Sequence, residues 1–180
     1  MIDYKTFKKG YLNEWVDQSQ AARRAAEELA KKDTTSLRDK YKPQNVIMTL
    51  SGKRVEFKGE NEKKADGDIY FTYDEALKCQ KEGWRLPTLE EFVALRDNYS
   101  YKYDKDSEQG IFDRRLYLPA MGYCYNDGDV YRVGSDGNYW SSISSVSNKA
   151  WYLGFYSREV FVSDRLRHIR LSVRLIRDIK

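Results

Sequence analysis

The C-terminal stretch GNYWSSISSVSNKAWYLGFYSREVFVSDRLRHIRLSVRLIRD, residues 137–178, decides the expected fold. Apolar residues alternate in it with polar or aromatic ones, which is the pattern of half-buried strands. Trp151, Leu153 and Phe155 fall on one predicted face, which a small core would use. The opposite predicted face carries Tyr152, Tyr156, Arg158 and Phe161, and a face that contacts only solvent would not need these aromatic residues. Exposed aromatic side chains beside arginine indicate a recognition surface.

The composition limits the class of protein and its partners. Of the 180 residues, 33% are charged, and the mean hydropathy is -0.81, so we expect a water-soluble protein without membrane insertion. The net charge of +4 comes from lysine and arginine mixed with acids, without the basic stripe that a nucleic-acid groove needs. We therefore expect no nucleic-acid partner. The excess of 15 Tyr over 7 Phe favours a binding surface, because Tyr serves in wet, adaptable contacts.

The first 43 residues have a different character from the rest of the chain. The N-terminal MIDYKTFKKG lacks an apolar core after its lysines, so no signal peptide is visible. Residues 11–32 have a short stripe at helical spacing with small side chains at Ser19, Ala22 and Ala26, which favours docking on the protein's own body over a free coiled coil. Residues 33–43 read as a linker. We expect an N-terminal helical attachment segment over residues 1–43, which joins a carrier structure, and a ligand-binding domain over residues 44–180. Homo-oligomerisation through the helix is an open alternative.

Local signals predict the elements between the linker and the C-terminal stretch. VIMTL and KRVEF, residues 46–50 and 53–57, read as two strands about the tight turn Ser51-Gly52. Two capping boxes, TYDE at residues 72–75 and TLEE at residues 88–91, each predict the start of a helix. We expect Gly83 to end the first helix. Residues 99–109 are rich in Tyr, Lys and Asp and are predicted to form a polar loop.

Four motifs in a fixed order resemble a known bacterial group. They are GWRLPT at residues 83–88, YWSS at residues 139–142, AWYL at residues 150–153 and SVRLIR at residues 172–177. With them the chain resembles the C-type-lectin-like domains of the Fibrobacter succinogenes major paralogous type over residues 46–178. It is also similar to the variable proteins of diversity-generating retroelements. The resemblance implies an α+β, C-type-lectin-like fold, with two helices packed on short, mostly antiparallel strands and the N-terminal helical segment in addition.

The same resemblance implies which positions are fixed and which bind ligand. The fixed frame comprises Tyr139, Trp140, Ser141, Trp151, Leu153, Phe155, Val160, Arg167, Ser172, Val173, Arg174 and Leu175. The intervening positions largely coincide with the outward set that alternation predicts. The candidate ligand-binding residues are Ser144, Ser145, Ser147, Asn148, Tyr152, Tyr156, Arg158, Glu159, Phe161, Ser163, Asp164, Arg165 and His168.

Catalytic and metal chemistry are disfavoured by the residues present, so we expect no cofactor. The candidate calcium loop at residues 126–129, NDGD, lacks the tripeptides of sugar-binding lectins and reads as a turn. Cys79 and Cys124 lack metal-ligand spacing and read as buried free thiols, and His168 has no second histidine to join it. Trp140 and Trp151 are expected in the core. Arg165, Arg167, Arg170, Arg174 and Arg177 either bind an anionic ligand, blunt a sheet edge or pair with acids.

These observations lead to one principal functional hypothesis and two rivals. We expect a non-enzymatic ligand-binding protein, which the resemblance implies to be a diversified receptor-binding protein of a phage or bacterial surface. Its expected ligand is a cell-surface protein or glycan. The expected location is a phage virion or the bacterial surface. The rivals are an envelope adhesion or structural module of the same fold without diversification, and an enzyme on the oxidase branch of that fold.

Overall fold

A computed structural model describes residues 43–125 and 128–179 of the chain. The helices and strands, in chain order, are β1 (Val46–Leu50), β2 (Lys53–Phe57), α1 (Tyr73–Lys78), α2 (Leu89–Asn98), β3 (Tyr101–Asp104), β4 (Gln109–Phe112), β5 (Leu116–Pro119), β6 (Tyr123–Cys124), β7 (Val130–Tyr131), β8 (Gly137–Ser144), β9 (Lys149–Tyr156), β10 (Glu159–Leu166) and β11 (Ile176–Asp178). The predicted attachment helix lies outside the described residues, as do Asn126 and Asp127 of the weighed calcium loop.

The strands form small antiparallel sheets. Three of these sheets have three strands each, in the orders β1-β2-β11, β3-β4-β5 and β10-β9-β8, and β6 and β7 form a fourth sheet of two strands. Strand β11 returns the C-terminus to the first hairpin, where Ile176 lies opposite Phe57. The first and last strands of the described region therefore belong to the same sheet.

The predicted α+β, C-type-lectin-like fold class is wrong for this part of the chain. Strand accounts for 44% of the structure and helix for only 12%. The two helices have 6 and 10 residues, so short antiparallel sheets, rather than a helical layer, make up most of the regular secondary structure of the described residues. Residues 99–109, predicted as a loop, contribute β3 and the start of β4.

The local signals for the first hairpin and for both helix starts are confirmed. Ser51 and Gly52 both have positive φ, as a tight hairpin turn requires, and Leu50 lies opposite Lys53. Thr72 and Thr88 each cap a helix through a complete capping box. The first helix, however, ends at Lys78 and not at Gly83. A six-residue helix has too few turns to be stable alone and depends on its tertiary contacts.

The sheet of β8, β9 and β10 lies between two apolar cores. Neighbouring residues of a strand point to opposite faces, and Tyr139 accordingly belongs to the first core while Trp140 belongs to the second. On β9, Leu153 packs in the first core and Tyr152 in the second. Helix α2 adds Phe92 to the first core. Both faces of this sheet are therefore covered over much of their area.

Two side chains of β9 differ in burial from the prediction. Tyr152, expected to face outward, is only 5% exposed. Trp151, expected in the core, is half-buried and belongs to neither core, whereas Trp140 is fully buried as predicted. The indole Nε1 of Trp140 donates to the carbonyl of Phe71 at 2.8 Å, so its polar atom is satisfied inside the second core. The expectation of one buried and one solvated face fails because a second layer covers the outer face.

Neither described helix has the length or the apolar character that a bilayer crossing requires.

Candidate ligand-binding surface

The predicted ligand-binding residues lie on three parts of the sheet, apart from Tyr152, which is buried in the second core. The first part is the turn between β8 and β9, with Ser144, Ser145, Ser147 and Asn148. The second is the turn between β9 and β10, with Tyr156, Arg158 and Glu159. These two turns stand at opposite ends of an eight-residue strand, roughly 25 Å apart at the usual rise of an extended chain. The third part is β10 and the residues after it, with Phe161, Ser163, Asp164, Arg165 and His168.

The β8–β9 turn is hydrogen-bonded to β10 through Asp164. Asp164 accepts a hydrogen bond from Ser145 Oγ at 2.7 Å and another from Lys149 Nζ at 3.1 Å. These two bonds, that from Ser145 first, lower the pKa of the Asp164 carboxyl. Asp164 therefore links the turn to β10, so this residue has a structural role besides any contact with a ligand.

Aromatic side chains collect on the second face of the sheet, beside β10. The ring of Phe161 lies 6.0 Å from that of Tyr152 and 6.2 Å from that of Tyr156. Phe161 is half-buried, because it lies over Gly154 on the neighbouring strand. A Cβ at Gly154 would come within 2.5 Å of Phe161 Cε2. Gly154 thus makes room for the ring that joins the two tyrosines.

Strands β6 and β7 extend this row of rings with residues that the sequence analysis missed. The rings of Tyr123 and Tyr131 stack at 5.8 Å with an interplanar angle of 19°. Tyr125, which is 41% exposed, meets both rings edge-on, at 5.6 Å from Tyr123 and 5.3 Å from Tyr131. The excess of Tyr and the alternating Gly-Tyr-Cys-Tyr of residues 122–125 were the available signals. Neither signal placed these strands next to β10.

Arg165 joins the two groups of rings. Its guanidinium lies 4.3 Å from the ring centroid of Tyr123 and 5.3 Å from that of Tyr152. Such contacts attract the cation to the ring faces and hold the side chain in place. We call the resulting row the aromatic strip. In order of contact it consists of Tyr125, Tyr131, Tyr123, Arg165, Tyr152, Phe161 and Tyr156.

A cleft of about 640 Å³ opens at the Tyr156 end of the strip. It is lined by Tyr103, Lys105, Arg132, Gly134, Ser135, Asp136, Tyr156 and Ser157. The Tyr101 hydroxyl fixes one wall by donating to the carbonyl of Tyr156 at 2.7 Å, and Ser135 Oγ donates to Asp136 Oδ1 at 3.0 Å. Tyr156 itself donates from its hydroxyl to Glu159 Oε2 at 2.6 Å. The cleft and the strip together present aromatic rings, hydroxyls and charges of both signs.

The two cysteines and the histidine lie apart from one another. Cys124 is 2% exposed and accepts a hydrogen bond from Arg170 Nη2 at 2.9 Å. Cys79 is half-buried just after α1, and burial raises the pKa of its thiol. His168 is exposed after β10. Within residues 43–125 and 128–179, no cluster of three or more His, Cys, Asp or Glu residues could hold a metal ion.

Comparison with known proteins gives one match, to part of the chain. A family model for a domain of unknown function, DUF8237, matches residues 102–176. The matched region is less than half of the chain, and it runs from β3 to the first residue of β11. All seven residues of the aromatic strip lie within it. No curated protein and no solved structure matches the chain.

Proposed function

We propose that this protein is a non-enzymatic ligand-binding protein and that the aromatic strip is its binding surface. The observation that carries the proposal is the continuous contact of six aromatic rings with one arginine along the sheet face. Tyr and Arg are the side chains that most often supply binding energy at interfaces, because they combine large apolar area with a polar end. A surface that contacts only water does not need a row of aromatic side chains.

The motif resemblance supports a role in recognition at a cell surface. Most positions of the frame shared with retroelement variable proteins are buried here, for example Tyr139, Leu153 and Val173 at 0% exposure. Phe161 and Arg165, at intervening positions, belong to the strip. A fixed interior with variable residues on a binding face is the arrangement by which a diversified protein changes its ligand without losing stability. We propose a phage or bacterial receptor-binding protein whose ligand is a cell-surface protein or glycan, attached to its carrier through residues 1–43.

Binding and folding of matched variants test the proposal. Phe161→Ala and Tyr156→Ala remove rings from the strip, and Ile47→Ala removes a more exposed apolar side chain from β1, in a different sheet. A screen of glycans and bacterial surface proteins first identifies a ligand for the unmodified chain. We expect each strip variant to lose at least about fivefold in affinity, or about 1 kcal/mol, and Ile47→Ala to bind as the unmodified chain does.

The melting temperature of each variant distinguishes loss of contact from loss of fold. If the strip variants bind the identified ligand as well as Ile47→Ala does, the strip is not the binding surface. If the screen finds no ligand and the protein instead turns over a substrate, the non-enzymatic assignment is wrong. In the genome, a neighbouring reverse transcriptase gene, with a near-copy of the coding segment for residues 137–178 that differs at adenines, would support diversification.

A further inference from the structure

We propose that the aromatic strip binds glycans that carry a carboxylate, and that Arg165 is the residue that pairs with this carboxylate. The inference rests on the proposed function, whose binding surface it uses. It adds the chemical class of the ligand and the residue that selects it. Three features carry it: the absence of an acceptor for Arg165 among the described residues, the rings on either side of its guanidinium, and the size of the cleft at the end of the strip.

Arg165 differs from every other arginine in the described part of the chain. The arginines that form ion pairs are Arg85, Arg96, Arg115, Arg167, Arg170 and Arg177. Arg174 is buried and donates to Asn61 Oδ1 and to the carbonyls of Lys58 and Gly59. The arginines without such partners are exposed to water, and they are Arg54, Arg114, Arg132 and Arg158. Arg165 alone is half-buried with neither an ion pair nor a hydrogen bond to any described residue.

The guanidinium of Arg165 is already positioned for an anion. Its Nη1 is buried and has no acceptor among the described residues, whereas its Nε and Nη2 are accessible to solvent. A ligand carboxylate can accept from the accessible Nε and Nη2 as a bidentate pair, and charge-assisted hydrogen bonds of this kind are among the strong ones. The rings of Tyr123 and Tyr152 hold the fork in place, so little side-chain entropy is lost when a bidentate pair forms.

The surroundings of Arg165 favour a sugar over an acidic protein segment. The ring of Tyr123 is already covered by Tyr131 and by Arg165, so a sugar would meet the edge of this group, where Tyr125 is 41% exposed and carries a phenolic hydroxyl. The cleft at the other end of the strip, at about 640 Å³, has the size of a small-ligand site. Its lining contains Lys105, Arg132 and Asp136, and the carboxylates of Glu108 and Glu159 lie beside the lining residues Gly134 and Tyr156. An oligosaccharide that pairs with Arg165 through the carboxylate of one residue can place the hydroxyls of another among these polar groups.

The test compares carboxylated oligosaccharides with their carboxyl-reduced counterparts. Trigalacturonate, a glucuronate oligosaccharide and sialyllactose are titrated into the full chain by calorimetry, each beside its neutral partner. Hexaglutamate serves as a carboxylated peptide. Arg165→Gln removes the proposed partner. Arg54→Gln, on β2 of another sheet, is the control that loses the same charge at an exposed position without an ion pair.

We expect at least one carboxylated sugar to bind at least tenfold more tightly than its reduced form. Arg165→Gln should abolish that preference and Arg54→Gln should keep it. Should Arg165→Gln fail to fold, the comparison of acidic and reduced sugars on the unmodified chain still decides the ligand class. Equal binding of acidic and reduced sugars, binding of no carboxylated sugar, or tighter binding of hexaglutamate would overturn the inference. Strip-dependent binding of a neutral glycan or a surface protein would then leave the proposed function standing, whereas ligand binding that the strip variants do not affect would remove both.

Discussion

Two glycines of the sheet of β8, β9 and β10 lie under phenylalanine rings. Replacing each glycine by alanine should change the free energy of unfolding by different amounts. Gly137, on β8, lies under Phe155, which is 1% exposed in the first core. Gly154, on β9, lies under Phe161, which is half-buried at the edge of the second core. A Cβ at Gly137 would come within 2.6 Å of Phe155 Cε2, and a Cβ at Gly154 within 2.5 Å of Phe161 Cε2. In both cases a ring must move.

The freedom of the ring to move sets the magnitude. Replacing a strand glycine by alanine gains about 0.5–1 kcal/mol, because the unfolded chain loses conformational freedom. Phe155 is enclosed by Tyr139 and Phe112, so it cannot swing away, and overpacking of such a core costs about 1–3 kcal/mol or more. We expect Gly137→Ala to lose about 1–2 kcal/mol net. Phe161 can turn toward solvent, so Gly154→Ala should stay within about 0.5 kcal/mol of the unmodified chain.

Thermal and urea unfolding of the two variants measure this difference. For a chain of this size 1 kcal/mol corresponds to about 2–4 °C in Tm, so Gly137→Ala should melt about 2–8 °C lower and Gly154→Ala close to the unmodified chain. Gly154→Ala displaces Phe161 from the aromatic strip, so it should still weaken ligand binding. Equal stability losses in both variants, or a stable Gly137→Ala, would refute the packing argument.

Two further predictions concern charged groups. Arg174→Gln should lower the free energy of unfolding by about 2–4 kcal/mol in urea titrations, because the carbonyls of Lys58 and Gly59 would lose their buried donor; an unchanged midpoint would contradict this. The hydrogen bond from Arg85 holds the pKa of Asp178 below its usual value, so its contribution to stability is present above about pH 4 and lost as pH falls through the folded pKa. Asp178→Asn should therefore show a smaller drop in Tm between pH 6 and pH 2 than the unmodified chain. The exposed control Asp106→Asn should keep the full drop, and identical profiles for both variants would contradict the assignment.

Features that depend on a few neighbouring residues could be read from the sequence. Thr72 and Thr88 begin helices because their hydroxyls accept from backbone N–H groups only three residues away. Ser51-Gly52 turns the first hairpin because its backbone tolerates positive φ. The burial of Trp140 was also correctly predicted, and the recognition of Phe161 and Arg165 as candidate binding residues is a prediction that ligand binding has still to test.

The tertiary structure decided which faces are covered and which rings meet. Alternation along β9 shows that Trp151 and Tyr152 point to opposite faces, but it carries no information about what packs against each face. A second core covers the face of Tyr152, so the residue expected at the surface is buried. Strands, rather than the predicted mixture with helices, make up most of the regular secondary structure of the described residues. Tyr123 and Tyr131 reach Arg165 only through pairing between segments more than thirty residues apart in sequence. Sequence patterns record the local backbone and the direction of each side chain, whereas the neighbours across a sheet are set by contacts that close long loops.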